Sequence, residues 1–95
     1  MLKAITRWLG LGASADQRRW SPDGALRELL DSMEYEAVEQ GLIRRRRAPG
    51  WIGDVNKVAA FIGAIEPAVA KITDRKLRAS WNSEIRAVRS AIIGP

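Results

Sequence analysis

The sequence predicts an all-α fold, a small helical bundle of three main helices preceded by a short N-terminal helical arm. Apolar residues recur at steps of three and four along several segments, which is the spacing of one face of a helix. The sequence has no sustained alternation of apolar and polar residues and no Asn-Gly or Asp-Gly pair that would favour a hairpin. The chain has 95 residues, of which 46% are hydrophobic, enough for one small core. We therefore expect one helical domain over residues 21–95, with residues 1–20 forming the arm and its linker.

The arm is predicted to be a short helix that ends at Gly10 and Gly12. Its apolar side chains share one side of that helix: Leu2, Ile5, Trp8 and Leu9. A helix of this length is marginal alone because helix nucleation is costly. It must therefore dock on another surface, and these four residues are predicted anchors for a partner. Trp51, which follows a run of arginines, is predicted to be a fifth anchor, because tryptophan beside arginine is enriched at binding surfaces. The equal alternative is that Trp51 closes the small core.

The first main helix is predicted over about residues 22–41. Ser21 is the expected N-cap, Pro22 fits the first helical position, and Asp23 favours the positive end of the helix dipole. Leucines follow at helical steps, and Gly41 is expected to end the helix. The acidic residues of this segment are predicted to form its solvent-exposed face.

The second and third main helices are predicted over about residues 52–72 and 74–93. The second is apolar nearly all round from residue 58 to residue 65, which is typical of a helix that is central in a bundle or covered by a partner. Pro67 predicts a kink or a break in the turn before it. Asp74 or the threonine before it can cap the third helix.

Charge is divided unevenly along the chain. The net charge is +5, from 16 Lys and Arg against 11 Asp and Glu. Residues 21–41 hold one basic and six acidic side chains, whereas residues 42–50 hold four arginines and no acid. The first main helix is therefore an acidic segment within an otherwise basic chain.

The four consecutive arginines are predicted to form an exposed loop, because the following Ala48-Pro49-Gly50 disfavours a continuing helix. They are Arg44, Arg45, Arg46 and Arg47. Arginine pairs with carboxylates and phosphates, so we expect this loop to contact an acidic neighbour or a nucleic acid. One or two of the four are expected instead to cap the acidic helix and to pair with Glu36 or Glu39.

A second basic row is predicted on the third main helix, about 100° round from an apolar stripe that starts at Leu77. Its arginines are Arg75, Arg78, Arg86 and Arg89. Such a row can follow a phosphate backbone or an acidic protein surface, and an ordinary solvated face is the alternative.

No catalytic residue, metal site or cofactor is predicted. The chain has no cysteine and no histidine, which removes thiolate ligands, the commonest transition-metal ligand and the commonest general base. The acidic residues fit a solvated helix face better than an acid–base pair, and neither a phosphate-binding loop nor a calcium loop occurs. We therefore expect no enzyme and no small-molecule substrate.

The opening "MLKAITRWLGLG" resembles the starts of some tailed-bacteriophage virion proteins, and the short helical body is similar in style to small phage head, neck or tail components. The resemblance implies a structural subunit repeated in an assembly, within a virion or in the host cytoplasm, with basic residues near DNA or neighbouring subunits. No secretory signal is predicted, because Thr6 and Arg7 interrupt the apolar run. No apolar stretch is long enough to span a membrane.

Three hypotheses for function follow. The leading one is a non-enzymatic structural or interaction protein of a larger assembly, whose partner is another protein or further copies of itself. The second is a nucleic-acid-binding module with a helix-turn-helix over residues 67–89. The third is an inhibitor that masks a nucleic-acid-binding enzyme with the acidic helix over residues 23–39.

Overall fold

The computed structural model of the protein describes residues 20–93, which form three α-helices and one short 3-10 turn. In chain order they are α1 (Gly24–Glu39), the 3-10 turn (Trp51–Gly53), α2 (Val55–Ala70) and α3 (Arg75–Ile93). This confirms the predicted all-α bundle of three main helices. None of the three helices is long and apolar enough to cross a membrane. The predicted anchors of the arm (Leu2, Ile5, Trp8 and Leu9) lie outside the described residues.

Helix α1 begins two residues later than the sequence predicts, so the assignment of Ser21 as N-cap is wrong. Asp23 is the N-cap, and its carboxylate accepts a hydrogen bond of 2.9 Å from the backbone N–H of Leu26. Pro22 is buried ahead of the helix, and its carbonyl accepts a hydrogen bond from Arg27 Nε. A carboxylate satisfies a free N–H as well as a hydroxyl does and also favours the positive helix end.

Helix α1 ends in a Schellman turn at Gly41, as predicted. Gly41 has a φ of +74°, a left-handed conformation that favours glycine. The N–H of Leu42 donates to the carbonyl of Ala37 at 2.7 Å, and the N–H of Gly41 donates to Val38 at 3.1 Å. The turn reverses the chain, and the next residue, Ile43, is buried against the bundle.

Helix α2 runs without interruption through Pro67, so the predicted break is wrong, while the expected bend stays a prediction. Proline removes the backbone donor to the carbonyl four residues earlier, which is that of Gly63. Both Gly63 and Pro67 are exposed, so water can hydrate that carbonyl. The helix ends at Ala70, two residues before the predicted end.

Helices α2 and α3 form an antiparallel hairpin. Asp74, one of the two predicted caps, caps α3 by accepting a hydrogen bond of 3.0 Å from the N–H of Leu77. Near the turn, Arg78 Nη1 donates to the carbonyl of Ile72 at 2.5 Å. At the other end of the hairpin, Ala59 and Ile93 line the same shallow groove.

Helix α1 packs antiparallel to α3. Trp81 Nε1 on α3 donates to Gln40 Oε1, just past the end of α1, at 3.0 Å. Leu77 lies one turn before Trp81 and is therefore beyond the end of α1. This position explains why Leu77 is 36% exposed and does not belong to the core stripe in which the sequence places it.

The core lies between the three helices, and α2 supplies more of it than the others. Its buried residues are Val55, Val58, Phe61, Ile62, Ile65 and Val69. The opposite face of α2 carries small exposed residues: Ala59, Ala60, Gly63 and Ala64. Within the described bundle α2 is therefore half-buried and not enclosed on all sides. The other predicted arrangement, a helix covered by a partner, stays a prediction.

Candidate functional site

The four consecutive arginines lie in a loop over residues 42–50, here called the arginine loop, as predicted. Buried side chains anchor it on both sides, Ile43 near its start and Trp51 just after its end. The Trp51 ring lies 4.8 Å from the Phe61 ring, centroid to centroid, and is only 4% exposed. Trp51 is therefore part of the core, which is the predicted alternative to a partner anchor. Gly50, with a φ of +84°, provides the turn that directs the indole inward.

Glu34 on α1 is a buried carboxylate held by the arginine loop. Its exposed fraction is 2%, so the prediction that all the acids of α1 face solvent is wrong for this residue. Oε1 accepts hydrogen bonds from Arg46 Nε at 3.1 Å and Nη2 at 2.8 Å, while Oε2 accepts one from the backbone N–H of Arg47 at 2.5 Å. A buried charge requires such partners, because leaving it unpaired is costly.

Arg46 also pairs with Asp31, whose Oδ1 lies 3.0 Å from Arg46 Nη2. The hydrogen bond to Glu34, with the charges of both carboxylates, raises the pKa of Arg46. One arginine of the loop therefore pairs with α1, as expected, but not with the predicted Glu36 or Glu39. The reason is the turn at the end of α1, which carries the chain back to the level of Glu34, more than one helical turn earlier.

The other three arginines of the loop differ from Arg46. Arg44 and Arg45 are exposed, and their side chains have no hydrogen bond or ion pair with the rest of residues 20–93. Arg47 is half-buried, and its Nε is buried without an acceptor in this part of the chain. The loop thus offers two solvated guanidinium groups and one that is partly enclosed but unsatisfied.

A cleft of about 660 Å³ lies between α1 and the arginine loop. Its charged lining comes from Arg27, Asp31, Glu34, Arg46 and Arg47. Its remaining lining residues are Pro49, Gly50, Trp51, Ile52 and Gly53. The cleft therefore has a more charged lining than most small-molecule sites, with a few apolar side chains beside the charges.

In the predicted basic row on α3, two arginines bond to other parts of the bundle and two are exposed to solvent. Arg78 is half-buried and bonds the carbonyl of Ile72, and Arg89 pairs with Glu66 on α2. The hydrogen bond to Glu66 raises the pKa of Arg89. Arg75 and Arg86 are exposed, and neither has a side-chain partner within the described residues. The row lies on the flank of α3 that faces α2, as the Arg89–Glu66 pair shows.

The other flank of α3, which faces α1, is acidic. Burial, followed by the charge of Glu36, raises the pKa of Glu84. Gln40 Nε2 donates to Glu36 Oε1 at 2.9 Å, while Gln40 Oε1 accepts from Trp81. Two carboxylates thus face the α1–α3 groove with no ion-pairing cation among the described residues.

Sequence reasoning missed Arg27, Glu34 and Glu84. A signal for Glu34 was present, since it lies four residues after Leu30 and three before Ala37, in phase with the buried face of α1. The contribution of Arg27 depends on the path of the arginine loop, for which no local pattern exists.

Across residues 20–93, no group of three or more His, Cys, Asp or Glu side chains is arranged to hold a metal ion. No family model, curated protein or solved structure matches the chain.

Proposed function

We propose that the protein is a non-enzymatic interaction subunit that binds an acidic protein surface through the basic flank of α3. The observation that carries this proposal is that only some arginines of the basic row on α3 have hydrogen-bond acceptors within the bundle. Arg78 and Arg89 have acceptors within the bundle, whereas Arg75 and Arg86 are exposed without one in the described part. A partner with carboxylates on its surface would supply acceptors that match the planar guanidinium fork.

One feature favours a protein over a nucleic acid as the partner. Helices α2 and α3 run alongside each other from the Arg78–Ile72 contact to the groove shared by Ala59 and Ile93. In a helix-turn-helix the two helices cross at about 90–120°, so this geometry gives that alternative less support.

The outward face of α2 supports a place in an assembly. Its small side chains, Ala59, Ala60, Gly63 and Ala64, leave room for the backbone of a neighbour to approach closely. The resemblance of the N-terminal sequence to phage virion proteins extends the proposal to a repeated structural subunit.

A second candidate function uses the acidic face of α1. Tyr35 is 53% exposed between Glu28 and Glu39, and an exposed tyrosine among carboxylates suits a basic partner. This arrangement supports the alternative of an inhibitor that masks a nucleic-acid-binding protein.

Affinity capture from the native source, with and without nuclease, tests both candidates. The probes are the full chain, a variant with Arg75→Glu and Arg86→Glu, and a variant with Glu28→Lys and Glu39→Lys. We expect the basic-flank variant to lose the partner, the acidic-face variant to keep it, and nuclease to have no effect.

Two results would contradict the proposal. Loss of the partner on nuclease treatment would favour nucleic acid, and loss with the acidic-face variant alone would favour the inhibitor. Circular dichroism of both variants checks that each remains folded, which is expected because all four positions are exposed.

A further inference from the structure

The cleft between α1 and the arginine loop contains an arginine whose hydrogen bonds are incomplete. Arg47 Nε is buried without an acceptor within residues 20–93, and buried polar groups in native structures are usually satisfied. Arg47 lines the cleft together with Arg27, whose Nε is already bonded to the carbonyl of Pro22. The Nη groups of Arg27 have no partner in the described chain and remain free to donate.

The guanidinium group of Arg47 has no hydrogen bond or ion pair within residues 20–93. The contact of this residue with Glu34 is made by its backbone N–H, not by its guanidinium group. Turning the guanidinium into the cleft would therefore break no hydrogen bond of Nε. Once turned, Nε and one Nη could donate side by side to both oxygens of one carboxylate, which is the strongest geometry for this pair of groups.

The remaining lining of the cleft limits what else the ligand can be. Asp31 and Glu34 are both bonded to Arg46, so the two arginines left to bind a ligand are Arg27 and Arg47. The exposed carboxylate of Asp31 disfavours a ligand with several negative charges, such as a phosphate. Pro49 and Ile52 also line the cleft and favour an apolar group. The volume of about 660 Å³ falls within the ~300–1,000 Å³ range of ligand pockets.

We propose that this cleft binds a single carboxylate carried on an apolar group, with Arg47 and Arg27 as its ligands. This binding site is separate from the basic flank of α3 and does not depend on the function proposed for that flank. The same chemistry is offered by a free organic acid and by the C-terminal carboxylate of a peptide.

The test is a titration of the full chain, followed through the side-chain Nε–H signals of its arginines by NMR. The probes are benzoate for a free acid and acetyl-leucine for a peptide C-terminus, each beside its neutral amide. We expect a saturable shift of the Arg47 Nε–H signal with at least one acid and none with the amides. The acid that binds more tightly identifies the source of the carboxylate.

The matched variants are Arg47→Lys and Arg44→Lys. Lysine at position 47 keeps the positive charge and the backbone N–H that donates to Glu34, so the variant should fold. It lacks the planar guanidinium group that can donate to both oxygens of a carboxylate. We expect at least tenfold weaker binding for Arg47→Lys, similar weakening for Arg27→Ala, and no change for Arg44→Lys. Equal weakening in Arg44→Lys, equally tight binding of inorganic phosphate, or no saturable shift with either acid would overturn the proposal.

Discussion

The two basic regions of the molecule form ion pairs of the same chemistry in different surroundings. In the arginine loop, Arg46 pairs with Glu34, whose side chain is 3% exposed. On α3, Arg89 pairs with Glu66, whose side chain is 36% exposed. Water screens the second pair and largely does not reach the carboxylate of the first, so the loop pair should hold structure in place while the α3 pair should contribute little. Whether a basic region stabilises the fold therefore depends on how deeply its partner carboxylate is buried, and not on how many arginines it contains.

The largest expected effect comes from Trp51→Ala, which removes the core anchor of the arginine loop. Replacement of a buried tryptophan by alanine typically costs about 3–5 kcal/mol. We expect a loss of that size in the free energy of unfolding, measured by urea denaturation. A loss under about 1 kcal/mol would be typical of a surface position and would favour Trp51 as a binding anchor. The arginine loop would then be a surface region, like the basic row on α3.

Glu34→Gln should have the next largest effect. The amide keeps one acceptor oxygen, but its NH₂ group faces donors from Arg46 or Arg47 and leaves one of them unsatisfied. We expect the free energy of unfolding to fall by about 1–3 kcal/mol. Glu39→Gln is the matched control, since Glu39 is exposed on the same helix and its change should stay within about 0.5 kcal/mol. Equal effects of the two substitutions would show that Glu34 is not held as described.

Arg46→Gln and Arg89→Gln compare the two ion pairs directly. Arg46→Gln should lower the melting temperature at both low and high salt, because it leaves Glu34 buried without its main partner. Arg89→Gln should cost only ~0–1 kcal/mol, and high salt should remove the difference from the unchanged protein. Thermal melts at two salt concentrations measure both. Similar salt sensitivity in the two variants would contradict the distinction.

The smallest effect concerns Glu84, a carboxylate of α3 without an ion-pair partner among the described residues. Burial and the charge of Glu36 raise its pKa in the folded state, so the folded protein binds this proton more tightly than the unfolded chain does. The contribution of Glu84 to the free energy of unfolding therefore falls as the pH rises from the ordinary glutamate pKa of about 4.3 through the raised pKa of the folded state. Glu84→Gln should melt slightly higher than the unchanged protein at pH 7, with the gain vanishing below about pH 4. A gain that persists in acid would rule out this titration as its cause.

Local patterns were sufficient to predict most of the fold. The step of three and four residues identified all three helices, and the glycine at position 41 and the aspartate at position 74 marked two helix ends. These features depend on residues close in the chain, so the sequence records them directly. The start of α1 was misplaced because Ser21 and Asp23 are both good caps, and the local sequence does not show that Asp23 is the one used.

The candidate sites were harder to predict because they depend on contacts between distant segments. The sequence identified an exposed arginine loop, but the path that takes Arg46 to Glu34 and Trp51 to Phe61 is set by the turn after α1 and by the core. The division of the α3 row likewise depends on which of its residues face α2. A periodic pattern places a charge on a helix face, whereas its partner on another helix is determined by packing.

The hydrogen bond between Trp81 and Gln40 also bears on how the chain folds. It joins residues that are 41 positions apart, whereas the Arg89–Glu66 pair between α2 and α3 joins residues 23 positions apart. Closing a longer loop costs more chain entropy, so local contacts form first in low-contact-order proteins. We therefore expect the hairpin to be structured in the folding transition state and α1 to dock on it afterwards. On this view, substitutions at the Trp81–Gln40 contact would mainly speed unfolding, whereas those in the turn between α2 and α3 would slow folding.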